Sequence, residues 1–238
     1  VVILKTVLLK FSGPLQAWGT DSHFETRHTD SHPSKSGVIG MIAAGLGYSR
    51  DDDAELQRLN TLSFAVRIDQ KGSLLKDFHT AEKYKGTQFD RNYVTNRWYL
   101  QDAVFVAALG SEDEALINDV KVSVTEPYFQ LYLGRRSLPP TADLLLGIFD
   151  LDPISCLKSY PWQASRQYQE KNSSHLEVFS DASLVTGGSI RTRNDEVVSF
   201  SQSRGRKFNP RTEKQIWVDA VQPARASQHD AFGAVEED

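Results

Sequence analysis

The 238-residue sequence predicts an α+β fold, and three observations carry that prediction. Apolar strand-like runs alternate with two segments of helical period. Their order is strand, helix, strand, insertion, strand, helix, strand. Beyond Gly147 the runs shorten and the turns become denser. The order is that of a ferredoxin-like split βαβ unit with a polar arm between its second and third strands. With 39% hydrophobic residues, 15 glycines and 9 prolines, the chain can bury a sizeable core. No apolar run approaches the roughly 18 residues of a bilayer span.

Val1 to Phe11 reads as a buried strand, and Gly13-Pro14 punctuates the loop after it. Ser34 is the expected N-cap of a helix carrying Val38, Ile39, Met41, Ile42 and Leu46, with Gly47 as its stop. Asp51 to Leu59 reads as a second, short helix. Phe64 to Asp69 alternates as a strand. From Gln70 to Gln101 neither period holds, so the segment reads as an arm projecting from one end of the sheet. Ala103 to Leu109 restarts the strands. Ser111 is the expected cap of a helix with Glu112, Asp113 and Glu114 in its first turn, where the helix dipole favours acids. Pro127 ends that helix, and Tyr128 to Leu133 reads as the next strand. His175 to Phe179, Ser183 to Val185, Val197 to Phe200 and Gln215 to Val218 read as strands of a smaller module. The expected partition is 1–147 and 148–238, with a frayed acidic tail over Val235 to Asp238.

The net charge of −4 argues against a surface that coats nucleic acid everywhere, but binding follows the local field. Two segments are locally basic. Lys76 to Tyr99 holds five Lys/Arg against three acids, and Arg191 to Arg211 holds six against two. The single cysteine, Cys156, can form neither an internal disulfide nor a cysteine zinc site, and fits a cytoplasmic protein.

Arg27, His28 and Lys35 precede the glycine-rich run of the first helix. A P-loop would need glycines where Thr29 and Ser34 stand before Lys35-Ser36, so that motif fails. Gly37 to Gly40 matches a KH-type clamp only as four letters; the small residues point to tight helix packing. Lys35 at a helix N-terminus is the expected place for an anion, which leaves an RNA phosphate site or a solvated surface. His23, His28 and His32 supply acid–base groups but no fixed geometry, and no metal-ligand spacing accompanies them. The arm interleaves Phe78, Tyr84, Phe89, Tyr93, Trp98 and Tyr99 with Lys83, Lys85, Arg91 and Arg97. Basic residues track a nucleic-acid backbone while rings stack on bases. Trp98 and Tyr99 are the rings expected to pack on the body. Gly134-Arg135-Arg136-Ser137 forms a turn whose arginines suit phosphates or an internal carboxylate.

PLQAWG (Pro14–Gly19), PSKSGVIGMIAAGLG (Pro33–Gly47), FAVRID (Phe64–Asp69), DFHTA (Asp77–Ala81) and YLGRRSLPP (Tyr132–Pro140) follow in this order. Together they resemble the CasD family, the subunit holding the 5′ end of the guide RNA in the type I-E CRISPR surveillance complex, Cascade. The resemblance spans about Leu4 to Gly147. Leu138 departs from the cysteine expected after Arg-Arg-Ser. The resemblance implies a ferredoxin-like (RRM-like) RAMP domain with a β-hairpin thumb over about 70–101 and a small β-rich C-terminal domain. It implies a non-catalytic protein without metal or cofactor that binds the crRNA 5′ handle. Implied partners are the CasC-like backbone subunit and the CasA-like large subunit, with target DNA contacted indirectly and no membrane. Gln16, Trp18, Arg27, His28, Ser34, Lys35, Ser36, Gly134, Arg135 and Arg136 become the expected RNA-binding residues. His79, Lys83, Tyr84, Lys85, Arg91 and Arg97 become the thumb contacts. Relatives in type I-C systems cleave precursor RNA without metal, which makes His28, Lys35 and Tyr84 the base, electrophile and acid of a rival reading. A third reading, a generic single-strand RNA-binding module, predicts weak sequence preference.

Overall fold

The computed structural model describes residues 4–19 and 26–223. Val1 to Ile3, His23 and the acidic tail lie outside the described residues. In chain order the elements are β1 (Lys5–Ser12), β2 (Leu15–Gln16), β3 (Thr26–Arg27), α1 (Lys35–Gly45), α2 (Asp53–Asn60), β4 (Ser63–Gln70), β5 (Ser73–Lys85) and β6 (Gln88–Gln101). There follow β7 (Val104–Ser111), α3 (Glu114–Thr125), β8 (Leu145–Phe149), α4 (Pro153–Ser159), α5 (Arg166–Gln169), β9 (His175–Asp181), β10 (Ser189–Ser199) and β11 (Lys207–Asp219).

Seven strands form one sheet in the order β10-β11-β9-β4-β7-β1-β8, and every pairing in it is antiparallel. Alternation along the central strands divides the core. Val7, Leu9, Phe11, Phe64, Val66, Phe105, Ala107 and Leu109 share one core with residues of α1, α2 and α3. Leu8, Ala65, Val106 and Ala108 face the other way, onto Ile154 and Leu157 of α4. Cys156 belongs to this second core, and burial pushes its thiol up to about 11, which suits packing rather than reactivity. The small residues of α1 let it approach α3. A Cβ on Gly45 would stand 2.1 Å from the backbone oxygen of Ser123.

Three expected elements differ. Ser111 is not the cap of α3: Asp113 accepts from the amides of Ala115 and Leu116, while the Ser111 hydroxyl accepts from Asp113 one step earlier. Tyr128 to Leu133 is not a strand. Leu131 and Leu133 plug the core from a loop, Tyr128 and Phe129 face solvent, and the edge of β1 is taken by β8 instead. Ser183 to Val185 is not a strand either, since Ala182–Leu184 forms a 3-10 turn. Beyond 148 lie α4, α5 and the strands β9, β10 and β11. These strands continue the first sheet, because β9 pairs with β4.

Arg67 and Asp69 look solvent-facing in FAVRID but are fully buried. They pair at 2.6 and 2.7 Å, and Arg67 also donates to the carbonyls of Leu157, Tyr160 and Pro161. Asp69 accepts from the Gln163 amide at 2.6 Å. The segment after α4 thus covers a strand that alternation alone leaves half exposed.

Candidate nucleic-acid interface

Between β4 and β7 the chain leaves the large sheet as a two-stranded ribbon, β5–β6, in register from Ser73↔Gln101 to Lys85↔Gln88. The root of β6 also carries two short strands. β2 pairs antiparallel with Leu100 and Gln101, and β3 pairs parallel so that Arg27 lies beside Arg97. Paired residues share a face, and successive residues alternate. Arg27, Arg97 and Tyr99 therefore occupy one face of the ribbon root, and Trp98 the other.

The loop after α3 completes the first face. Gly134 has φ +92°, and a Cβ there would stand 1.7 Å from the oxygen of Ala17, so only glycine fits against the β2 segment. That turn lays the Arg135 guanidinium 4.2 Å over the Tyr99 ring and lets Nη2 donate to the Trp98 carbonyl at 3.3 Å. Burial first, then the charges of Arg97 and Arg27, hold Arg135 below the usual guanidinium range, while Tyr99 works the other way. Among the described residues no carboxylate forms an ion pair with Arg27, Arg97, Arg135 or Arg136. Arg97 Nε and Arg135 Nη1 are buried N–H groups without an acceptor among the described residues. Arginines that share one face, repel one another and keep unused donors suit a phosphate, whose oxygens accept charge-assisted bonds.

The other expected site residues divide sharply. Arg27, His28, Gly134 and Arg136 are exposed, and Arg135 is half-buried. Gln16 and Trp18 are interior. Gln16 donates to the carbonyls of Phe11 and Ala103, and accepts from the Trp18 indole at 3.0 Å. Ser34 is the buried N-cap of α1, accepting from Gly37 at 3.2 Å, and half-buried Ser36 lies beside its hydroxyl. Lys35 is buried, its ammonium 3.1 Å from Asp181 and its amide donating to Asp195 at 3.0 Å. The helix N-terminus does hold an anion, as its dipole favours, but the anion is the chain's own Asp195. The Lys35 amide and ammonium thus already have partners within the chain.

Asp195 belongs to a buried charge network that takes up Arg193 and Arg211 of the second basic segment, while Arg191, Arg204, Arg206 and Lys207 of that segment are exposed. Arg211 binds Asp195 through two nitrogens at 2.8 and 2.9 Å, and reaches Asp181 and Glu213. Arg193 reaches Asp30 at 2.6 Å and His32 at 2.5 Å, and His32 stacks on Phe179 with centroids 3.9 Å apart. Arg204 pairs with Asp53 of α2 at 2.9 Å. Burial pushes the Glu213 carboxyl up, but His32, Arg193 and Arg211 outweigh it and bring it down to about 2. Its ordinary value is 4.5, so its contribution is complete above that pH and disappears as pH falls toward 2. Unfolding free energy should drop by about 3 kcal/mol across this window, from the 1.36 kcal/mol per unit relation. Urea denaturation of Glu213→Gln should show a flatter profile there; an unchanged slope would assign the acid sensitivity elsewhere.

Along the ribbon, the expected contacts are strung out rather than gathered. His79 lies 2.7 Å from Asp77, and Lys83 and Lys85 lie 3.9 and 3.7 Å from Asp90. Arg91 donates to the Tyr93 hydroxyl at 2.7 Å and covers its ring. Tyr84 donates to Glu82 near the tip, edge-on to Phe89. Only Arg97 stands at the root. Tyr99 is buried as expected; Trp98 is half-buried, with His28 and Lys76 beside its ring. Sequence reasoning missed Tyr99 as the seat of Arg135. The signal was present in the alternation Arg97-Trp98-Tyr99, which sets a cation and a ring on one face.

Among the described residues no helix is long and apolar enough to cross a membrane, and no group of three or more His, Cys, Asp and Glu could hold a metal ion. The family described as CRISPR-associated protein (Cas_Cas5) matches residues 6–211. The chain is 35% identical over 206 residues to the CRISPR system Cascade subunit CasD of Escherichia coli (strain K12), covering 80% of this chain and 87% of the relative. A solved CRISPR RNA-guided surveillance complex contains a chain with TM-score 0.72 and 29% identity, covering 98% of this chain and 100% of that one. A second solved structure, a Cas protein, matches with TM-score 0.69 and 27% identity over 93% of this chain and 100% of its own. The match over most of its length, with the same fold in both solved relatives, places the chain in the CRISPR-associated protein (Cas_Cas5) family.

Proposed function

We propose that this protein is the subunit of a Cascade-type CRISPR complex that binds the 5′ handle of the guide RNA without cleaving it. The observation that carries the reading is the arginine face at the ribbon root, with two buried N–H donors lacking an acceptor among the described residues. The strand order β8-β1-β7-β4, with helices between β1 and β4 and between β7 and β8, supports a ferredoxin-like RAMP domain. The β5–β6 ribbon is then its thumb, and β9–β11 form the C-terminal part. In this reading the CasC-like and CasA-like subunits are protein partners, and target DNA is reached through the complex.

The rival endoribonuclease gains no support from the geometry. Lys35 is buried against Asp181, while Tyr84 lies eight residues along β5 from Lys76, the residue opposite Trp98. At about 3.4 Å per residue that is roughly 27 Å from the place where His28 rests, too far for an acid and a base on one phosphodiester.

Incubation of the protein with the repeat RNA of its own CRISPR locus, with and without divalent metal, tests the proposal. Intact RNA, retained by the protein in a salt-dependent manner, is the expected result. Site-specific cleavage abolished by His28→Ala would move the protein into the enzyme class. Equal affinity for unrelated single strands would favour a generic binder.

A further inference from the structure

His28 and Trp98 lie on the face of the ribbon root opposite the arginines, their rings 14° from parallel with centroids 6.5 Å apart. Among the described residues two other histidines lie on rings, and both pairs are closed: His32 on Phe179 at 3.9 Å and His175 on Trp217 at 5.2 Å. Each closed pair is also held laterally, His32 by Arg193 and His175 by Asp219. The His28 imidazole is exposed, and no hydrogen bond or ion pair among the described residues fixes it. At 6.5 Å the His28 and Trp98 centroids are farther apart than those of either closed pair, so these near-parallel rings cover less of each other and leave ring face open.

We infer that His28 and Trp98 form an aromatic platform on which one nucleobase of the bound RNA stacks. The inference rests on the RNA-binding reading and adds to it a base-contacting site. β3, only two residues long, is the outer edge of its small sheet, so a strand passing around it meets both faces. Its phosphate reaches Arg27, Arg97 and Arg135 on one face, and its base reaches the rings on the other. Lys76, with its ammonium 5.8 Å from the Trp98 ring centre, lies near enough to meet the same nucleotide. A stacked base carries a π-face whatever its identity, so the platform takes any base and selects for single-stranded, unstacked RNA over a duplex.

The test uses the full chain and its locus repeat RNA, together with a set in which each nucleotide in turn is abasic. Wild type should lose about 5- to 100-fold in affinity at one abasic position, the effect of one stacked base. In His28→Ala and Trp98→Leu, the intact RNA should bind correspondingly more weakly and that abasic position should cost nothing further, because the two losses are one interaction. Exposed His28 carries the test even if the Trp98 variant melts early. Normal, salt-dependent RNA binding without such a coupled position overturns the platform and leaves the RNA-binding reading standing. Absence of binding to any repeat RNA by wild type overturns both.

Discussion

Replacing Asp195 with alanine is expected to lower the unfolding free energy by about 3–5 kcal/mol, the usual loss when one partner of a buried ion pair is removed. Asp195 serves three neighbours at once. It accepts from the first amide of α1, receives two bonds from Arg211, and lies 3.7 Å from Arg193. Alanine would leave a buried guanidinium with its remaining partners Asp181 and Glu213, and a helix N-terminus without its anion. Asp195→Asn keeps the shape and tests the charge alone. Denaturant melts should show lower midpoints at unchanged slope. A loss below about 1 kcal/mol, the value of an exposed pair, would mean that the network is not the anchor of α1.

Arg97→Ala and Arg135→Ala are each expected to weaken repeat-RNA binding by about 1–3 kcal/mol, the range for a charge-assisted hydrogen bond. If each contacts its own phosphate, the losses add and the salt slope falls by about one per contact. If they share a phosphate, the double variant loses less than the sum. Arg135 also holds the ribbon through the Trp98 carbonyl and the Tyr99 ring, so its variant needs a thermal melt beside the titration. Normal binding with early melting would make Arg135 a brace and leave the phosphate role to Arg27 and Arg97.

The strands and helices that alternate clearly were legible in the sequence: the first strand, α1 with its Ser34 cap, Phe64 to Asp69 and Ala103 to Leu109. So was the arm, by its lack of either period. Tyr128 to Leu133 misled because a loop that buries Leu131 and Leu133 has the same alternation as a strand. Pairing, which decides between them, is set by β8 at a distance. Within the site, Arg27, Arg97 and the Gly134-Arg135 turn were legible as cations beside rings and a turn. Lys35 was not. Its partners Asp181 and Asp195 lie 146 and 160 residues away, and no local pattern distinguishes a lysine that waits for RNA from one that waits for the rest of its own chain. Gln16 and Trp18 sit in a polar-looking loop yet satisfy each other inside the core, which only the register of β2 on β6 reveals.

The separation between Lys35 and Asp195 also sets a schedule. At about 5–20 residues per second, a ribosome needs roughly 8–30 s to make the residues between them. Once β7 is made and until β9 follows, β4 has β7 on one side and no β9 on the other, and an open strand edge invites pairing with another chain. The strands that arrive last close that edge and deliver the carboxylates to α1 in the same event. The open edge of β4 is therefore most vulnerable before residue 175 emerges, and the β9–β11 segment is the covalently attached cover for the half that precedes it.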